Sequence, residues 1–367
     1  MDLNKFFQDQ NKKKQVKILT CGSVDDGKST LLGRLLFDSQ NIFLDQIDQT
    51  KIESEKYGTQ GKEIDLALLV DGLQAEREQG ITIDVAYRYF ETSNCKFIIA
   101  DTPGHEQYTR NMATGASNSD VAIILIDAEK GVLEQTKRHS FIVNLLGIKH
   151  IVVAINKMDL VNYKENIFER IVDEYKELIK NFTFTSINFI PLSALKGDNV
   201  FLNFENTKWY KGLTLIETLE KVDVLDSSQN NELSFPVQWV NRSSANFRGY
   251  SGTIADGKIA RGDLITTASS NMLTSVKNIY GPKGELSEAY SGQAITLTLS
   301  DELDISRGDV ILSKKNDQII KADQFASHLI WMDQEPMLPE RNYIFRFNNS
   351  YINGKITDLV HSININS

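Results

Sequence analysis

The stretch Gly22-Ser-Val-Asp-Asp-Gly27-Lys28-Ser29 decides the fold, because it follows the apolar run 16–21 and precedes a stretch with helical patterning. It fits the pattern G-x-x-x-x-G-K-[ST], a glycine-rich loop between a strand and a helix. In such a loop the backbone N–H groups surround a phosphate, and the helix N-terminus adds partial positive charge. We therefore predict that Lys28 bridges the β- and γ-phosphates of a nucleotide and that the Ser29 hydroxyl ligates Mg²⁺.

Short apolar runs alternate with helical stretches from this loop to about residue 222. Runs 16–21, 97–100, 121–126, 150–155 and 187–191 predict strands that are buried on both sheet faces. Stretches 29–37, 134–146 and 163–180 predict helices. The repeated order of strand, helix and strand predicts an α/β domain over residues 1–222, with a doubly wound, mostly parallel sheet.

The pattern changes after residue 222. The polar stretch at the start of 223–233 predicts a linker. Runs 235–240, 251–255, 263–267, 294–299 and 310–312 predict a β-barrel domain over 234–322, and runs 325–331, 343–347 and 355–363 predict a partial second β-barrel over 323–367. At about 45 residues this last unit is below the size at which a barrel is stable alone. We expect that the chain is a fragment or that this unit leans on a partner.

Three further motifs follow predicted strands, where ligands of open α/β sheets bind. In Asp101-Thr-Pro-Gly104-His105, the carboxylate of Asp101 can hold Mg²⁺ through water, and the N–H of Gly104 can meet the γ-phosphate. In Asn156-Lys-Met-Asp159, Asp159 can accept both N–H donors on the edge of guanine. Adenine offers no such pair and would leave the carboxylate unpaired, so the motif predicts selection of GTP.

The remaining residues of these motifs complete the predicted base site. Asn156 would tie its loop to the phosphate-binding loop, and the stem of Lys157 would cover the base face. Ser193-Ala194-Leu195, after the last predicted strand, can add backbone donors. The three motifs occur in the order that a GTPase requires.

This ordered set resembles the translation-factor class of P-loop GTPases, whose second and third domains are β-barrels. Segments 65–84, 86–90 and 101–117 more closely resemble the large, GTPase subunit of bacterial sulfate adenylyltransferase, a nucleotidyltransferase, and the similarity continues into 331–339. The resemblance implies that Thr82 closes on Mg²⁺ and the γ-phosphate and that His105 orients the attacking water. As the alternative, His105 only donates a hydrogen bond to a neighbouring loop. Members of that family normally continue well past residue 367.

The candidate site residues fall into three groups. The catalytic candidates are Lys28, Thr82 and His105, and the Mg²⁺ candidates are Ser29, Thr82 and Asp101. The GTP-binding candidates are Gly22, Ser23, Val24, Asp25, Asp26, Gly27, Lys28, Ser29, Asp101, Thr102, Pro103, Gly104, His105, Asn156, Lys157, Met158, Asp159, Ser193, Ala194 and Leu195. We predict structural or exposed roles for the other histidines, His139, His150, His328 and His361.

The resemblance also implies a heteromeric enzyme of sulfate assimilation. A small subunit, which binds ATP and sulfate, would form adenylylsulfate and diphosphate, and GTP hydrolysis in this chain would drive that step. We expect the partner surface within residues 40–80, with an exposed helical insertion as the alternative. Two other functions stay open, a translation factor that binds aminoacyl-tRNA and a regulatory GTP switch. Asp26, where elongation factors usually carry His, weighs against the first of them.

Composition limits the partners and the location. The net charge of −9 and the pI near 5.2 argue against general nucleic-acid binding. Two cysteines and no charged leader followed by an apolar stretch argue against disulfides and secretion. The apolar runs are much shorter than the ~18–20 residues that cross a bilayer. We expect a cytoplasmic protein that binds neither membrane nor nucleic acid.

Overall fold

The structure is a computed structural model of the 367-residue chain. It describes residues 13–39, 66–70, 82, 84–223, 232–244, 247–268, 272–314, 322–333, 335–347 and 349–362. These residues form two compact units that divide between Val222 and Asp223. The predicted linker lies mostly outside the described residues, and the predicted division into three domains stays a prediction.

The first unit is an α/β sheet with helices between its strands. Its strands are β1 Lys14–Gly22, β2 Ala86–Glu91, β3 Cys95–Asp101, β4 Val121–Asp127, β5 His150–Asn156 and β6 Ser186–Pro191. Its helices are α1 Lys28–Asp38, α2 Thr109–Ala116, α3 Glu134–Leu145, α4 Glu165–Ile179 and α5 Leu215–Lys221, with short 3₁₀ turns at Leu66–Leu69, Glu106–Tyr108 and Glu205–Thr207. The sheet order is β2-β3-β1-β4-β5-β6, and every pair except β2 with β3 is parallel.

The sequence predicts this unit closely. The predicted doubly wound sheet is confirmed, and the five predicted strands start or end within two residues of the observed ones. The edge strand β2 was not among them. Helix α4 begins at Glu165 rather than at Tyr163, because Asn162 and Tyr163 have positive φ angles of 53° and 52°. These angles are incompatible with a right-handed helix.

Pairing in the centre of the sheet brings the predicted motifs to one edge. Every residue of β4 is buried, as expected for a strand covered on both faces. The parallel registers place Thr20 beside Asp101, Gly22 beside Leu125 and Asp127 beside Asn156. The carboxyl ends of β1, β3, β4 and β5 therefore form one edge of the sheet.

The second unit consists of antiparallel sheets, and its strands up to residue 313 surround one apolar core. Its strands are β7 Ser234–Pro236, β8 Trp239–Ser244, β9 Phe247–Thr253, β10 Lys258–Ala260, β11 Leu264–Thr267, β12 Thr274–Gly281, β13 Gly284–Leu286, β14 Glu288–Tyr290, β15 Ala294–Leu299, β16 Val310–Ser313, β17 Asn342–Phe347 and β18 Ser350–Lys355. The main sheet has the order β7-β16-β11-β12-β15-β9-β8, with β13 on β12. Its core includes Phe235, Tyr250, Ile279 and Leu297.

Three predictions in this unit are wrong in detail. The predicted strand 235–240 is two strands, because Val237 N–H donates to Asp309 and Gln238 N–H donates to Ser251, so the chain changes partner from β16 to β9. Residues 325–331 form no strand, and their side chains Phe325 and Leu329 are exposed. The predicted strand 355–363 is displaced, since β18 ends at Lys355 after pairing with β17.

Two smaller observations concern membranes and thiols. Among the described helices, none has both the length and the apolar character needed to cross a lipid bilayer. Cys21 and Cys95 are buried free thiols, and burial raises the pKa of Cys21 to about 12. Neither thiol is therefore a reactive group at neutral pH.

Candidate functional site: a phosphate-binding loop joined to a base-binding loop

The predicted phosphate-binding loop connects β1 to α1 with positive φ angles at Gly22 (152°), Asp25 (64°) and Gly27 (90°). Glycine adopts such angles without a steric penalty. A Cβ at Gly22 would lie 2.8 Å from the carbonyl oxygen of Leu125, and one at Gly27 would overlap the side-chain amide of Asn156. Both glycines are therefore needed for conformation and for close approach.

Lys28 is the buried cation of this loop. Its Nζ donates to the carbonyl oxygens of Ser23 at 2.7 Å and Gly22 at 3.3 Å. A Cβ at Gly104 would lie 2.5 Å from the same Nζ, so the Asp101–His105 loop passes directly over the ammonium group. Burial lowers the pKa of Lys28, and the charges of Asp26 and Asp101 oppose that shift. The arrangement concentrates one positive charge where phosphate oxygens are predicted to bind.

Asp26 is buried inside the same loop. Its Oδ2 accepts from the Ser23 N–H at 2.5 Å, whereas Oδ1 has no hydrogen-bond partner among the described residues. Burial raises the pKa of Asp26 to about 6, while the charge of Lys28 holds it down. The Asp26 side chain therefore stabilises the loop through the Ser23 N–H, and its Oδ1 remains able to accept a hydrogen bond.

His139 on α3 holds the start of the loop, a structural role that is one of the two roles predicted for it from the sequence. Its Nδ1 accepts from the Gly22 N–H at 3.2 Å, and the side chain has no exposed surface. Burial, together with the charges of Lys28 and Arg138, lowers the pKa of His139 to about 3. The ring is therefore neutral, which the acceptor role of Nδ1 requires.

Asp101 ends β3 beside the loop and is 1% exposed. Thr20 Oγ1 lies 3.2 Å from its Oδ1, and Thr102 Oγ1 donates to the Thr20 carbonyl at 2.6 Å. Ser29 is the second residue of α1 and is half-buried. No group of three or more His, Cys, Asp or Glu side chains suited to a metal occurs among the described residues. A hydroxyl and one carboxylate fit Mg²⁺, which usually keeps waters and phosphate oxygens as its other ligands.

Asn156 joins the phosphate-binding loop to the base-binding loops, as the sequence predicts. Its Nδ2 donates to the Asp26 carbonyl at 2.8 Å, and its Oδ1 accepts from the Ala194 N–H at 2.9 Å. The Ala194 N–H, predicted as a donor to the base, is directed at Asn156 in this structure. One carboxamide thus connects the loops after β1, β5 and β6.

Two residues that sequence reasoning missed support the base-binding loops. Asp127 at the end of β4 is buried, and its Oδ2 accepts from Lys157 Nζ at 2.9 Å. Arg34 on α1 donates through Nε to the Ala194 carbonyl at 3.2 Å and through Nη2 to the Leu195 carbonyl. Neither residue carries a local sequence signal.

Asp159 is half-buried beside a second carboxylate, Asp198. Tyr163 OH donates to Asp198, and burial together with the charge of Asp159 raises the pKa of Asp198. Met158, between Lys157 and Asp159, is fully buried, and its N–H donates to the Leu192 carbonyl at 3.2 Å. The base-binding loop is therefore held by its backbone and leaves a carboxylate accessible.

The remaining two catalytic candidates are Thr82 and His105. Thr82 is half-buried, and within the described part of the chain no hydrogen bond joins it to the phosphate-binding loop. The ring of His105 meets Tyr108 edge to face, with centroids 6.4 Å apart. Of the predicted partner segment 40–80, only Leu66–Val70 is described, and its Leu66, Leu68 and Val70 are buried. Ala67 and Leu69 are half-buried, and the rest of the segment lies outside the described residues.

Comparison with known proteins agrees with this geometry. Residues 13–253 match the family model of the Elongation factor Tu GTP binding domain. The chain is 52% identical over 366 residues to sulfate adenylyltransferase subunit 1 of Cellvibrio japonicus, covering 100% of this chain and 77% of that protein. It is 51% identical over its whole length to the bifunctional enzyme NodQ of Rhizobium meliloti, 57% of which is covered.

Among solved structures, the GTPase-like domain of Ski7 from S. cerevisiae, bound to GTP, superposes with a TM-score of 0.54 at 19% identity, covering 99% of this chain and 89% of that one. This likeness concerns the fold alone. The fold and the motifs define an elongation-factor-Tu-like GTPase. Within that class, the chain belongs to the sulfate adenylyltransferase subunit 1 family, so it is a GTPase subunit of that enzyme. The resemblance seen in the motifs is thereby confirmed.

Proposed function

We propose that GTP hydrolysis in this chain drives the formation of adenylylsulfate and diphosphate from ATP and sulfate in a partner small subunit. The proposal that the chain binds GTP depends on the two hydrogen bonds of the Asn156 side chain. They link the phosphate-binding loop, through the carbonyl of Asp26, to the segment Ser193–Leu195, through the N–H of Ala194. A ligand with phosphates at the first loop and a guanine base at Asp159 would span both loops, and a guanine nucleotide has both groups. The similarity to proteins named sulfate adenylyltransferase subunit 1 supports the assignment to that enzyme.

Each candidate residue has a defined part in this proposal. Lys28 and the N–H groups of the Gly22–Ser29 loop would bind the β- and γ-phosphates. The carboxylate of Asp159 would accept the two N–H donors of guanine. Bound Mg²⁺, held by Ser29, Thr82 and, through water, Asp101, would neutralise charge on the phosphate oxygens. His105 would orient the attacking water.

Energy coupling requires that the chain present different surfaces before and after hydrolysis. A γ-phosphate held by Gly104 and Thr82 would order their two loops, and its loss would release them. A partner that contacts the loops in only one state would then be biased by the nucleotide. Thr82 and Gly104 are accordingly the proposed sensors of the γ-phosphate.

The direct test is adenylylsulfate formation from ATP and sulfate by the chain mixed with the small subunit, with GTP, with GDP and without nucleotide. We expect product to accumulate beyond its unassisted equilibrium only when GTP is hydrolysed. The same yield in all three conditions would reject the coupling. Tight GTP-dependent binding of aminoacyl-tRNA instead would favour the translational function.

A further inference from the structure

A basic cleft lies in the second unit, and none of the residues that line it is a predicted nucleotide-binding residue. It is a cavity of about 500 Å³ between β8, β9 and the loop before β16. We define the basic cleft by five of its lining residues, Trp239, Arg242, Arg248, Asp304 and Arg307. The GTPase chemistry uses none of them.

The cleft carries an excess of positive charge in a chain whose net charge is −9. Arg242 and Arg307 are exposed and form no ion pair within the described part of the chain. Arg248 is 19% exposed and lies 3.8 Å from Asp304, which is fully exposed and therefore neutralises it weakly. The buried Nε of Arg248 has no hydrogen-bond partner among the described residues. These guanidinium groups are available to an acidic ligand.

The cleft also presents an aromatic surface. Trp239 is 69% exposed on β8, the strand at one end of the main sheet. The guanidinium group of Arg248 lies 5.6 Å from the ring centre of Tyr250, which fixes its direction by a cation–π contact. Trp and Arg are the residues most enriched among the anchors of protein–protein interfaces. A preset arginine and an exposed indole that line the same cavity are such anchors.

The solvent exposure of the residues that line the cleft indicates whether its ligand is a protein segment or a small molecule. Small-molecule sites are mostly apolar and bury about 70–90% of the ligand surface. Here the indole and two of the three guanidinium groups are open to solvent. Carboxylates bind arginines in paired hydrogen bonds, and a flexible acidic segment can reach several arginines at once. The cleft therefore suits an extended acidic segment of a protein.

We propose that the basic cleft docks an acidic segment of the partner small subunit, an inference that rests on the proposed function. Docking there would hold the two subunits together through the second unit, whereas the loops around Thr82 and Gly104, which would respond to the nucleotide, belong to the first unit. Association through the cleft is then expected to weaken with added salt, because its attraction is largely between charges.

The test compares two double variants of the full chain. R242E/R307E reverses two charges in the cleft, and K258E/K277E reverses two exposed charges of the second unit outside it. Both variants change the net charge by the same amount. The affinity for the purified small subunit is measured by biolayer interferometry at low and at high salt, together with GTP hydrolysis by the chain alone.

We expect R242E/R307E to bind the small subunit at least about 30-fold more weakly than the wild type, as for loss of an interface anchor. K258E/K277E should bind within about threefold of the wild type, and isolated GTP hydrolysis should be unchanged in both. Equal affinities of the two variants would overturn the inference and leave the proposed function intact. Slower hydrolysis by isolated R242E/R307E would instead assign the cleft to the GTPase itself.

Two further outcomes separate the inference from its premise. A wild-type chain that does not bind the small subunit at all would reject the proposed partner together with its docking site. Cleft-dependent binding of single-stranded RNA, without an effect of R242E/R307E on the small subunit, would make the ligand a nucleic acid and overturn the inference.

Discussion

At the scale of single residues, the candidate site depends on a few buried polar groups with defined partners. Asn156 uses both ends of its carboxamide, and His139 accepts from the Gly22 N–H in its neutral form. Asp26 accepts from the Ser23 N–H and keeps one free acceptor atom among the described residues. Each removal would leave a buried donor or acceptor unpaired, which costs about 1–3 kcal/mol.

Replacement of Asp159 tests the base assignment. Asp159→Asn removes the acceptor of two guanine donors and supplies an amide that can donate to the 2-oxygen of xanthine. GTP affinity should fall at least about tenfold, and xanthosine triphosphate should become the better ligand. Titration calorimetry with both nucleotides measures this, with the exposed Asp173→Asn as the control. Unchanged guanine preference would mean that another group reads the base.

Replacement of His105 tests the hydrolytic assignment. His105→Ala should slow GTP hydrolysis by about 10²-fold or more, since positioning of the attacking water contributes mainly in the transition state. GTP affinity should change little. Single-turnover hydrolysis and equilibrium binding separate the two effects. Loss of binding with an unchanged hydrolysis rate would give His105 a structural role.

His139 predicts a pH dependence of stability. Its folded-state pKa of about 3 is below the usual value, so the unfolded chain takes up the proton first as the pH falls. The stabilisation is present above about pH 6.5 and is lost progressively below it, by about 2 kcal/mol at pH 5. His139→Leu should remove this contribution. Asp26 has the opposite sign, because its raised pKa of about 6 favours the folded state as the pH falls from 6 towards 4.

Urea unfolding of the wild type and His139→Leu at pH 7 and pH 5 measures the effect. The difference in unfolding free energy between the two proteins should shrink at pH 5, and the comparison cancels the contribution of Asp26. The exposed His328→Gln serves as the control. A difference that is independent of pH would show that the pKa of His139 in the folded protein is close to its usual value.

At the scale of elements, the registers of the parallel strands assemble the site. Thr20 of β1 lies beside Asp101 of β3, and Asp127 of β4 lies beside Asn156 of β5. Each predicted motif follows its strand directly, so pairing of the strands brings the motifs together. The loop geometry then depends on glycines at the close approaches.

Alanine substitutions at Gly27 and at Gly147 distinguish the effect of backbone strain from the effect of a steric contact. Their φ angles are 90° and 80°, but a Cβ would overlap the Asn156 side chain at Gly27 and would meet nothing within 4 Å at Gly147. Both alanine variants should lose about 1–2 kcal/mol of stability through strain. Only Gly27→Ala should also weaken GTP binding, at least about tenfold. Urea unfolding and calorimetry measure the two effects, and equal GTP affinities would contradict the role of the Gly27–Asn156 contact.

At the scale of the whole molecule, the two units have separate apolar cores. Leu125 lies in the central strand of the first unit, and Leu297 lies in the core of the second; both are fully buried. The candidate nucleotide-binding residues belong to the first unit, whereas the basic cleft belongs to the second. The stability of each unit can therefore be changed separately.

Leu125→Ala and Leu297→Ala should each cost about 2–5 kcal/mol, because they leave cavities in different cores. GTP with Mg²⁺ stabilises only the state that binds it. Scanning calorimetry should therefore show two unfolding transitions. GTP should raise the midpoint temperature of the transition that Leu125→Ala affects and leave unchanged the midpoint of the one that Leu297→Ala affects. A single transition that GTP shifts in both variants would mean that the two units unfold as one.

The sequence alone determined the α/β unit, five of its six strands and the position of each nucleotide motif, because a glycine-rich loop or an apolar strand is specified by adjacent residues. Only the tertiary structure revealed the support of His139, Arg34 and Asp127. His139 meets Gly22 across 117 residues, and Arg34 meets Ala194 across 160. The basic cleft likewise joins Arg242 to Arg307 through folding of the second unit. Such contacts depend on strand pairing between distant segments, which no local pattern encodes.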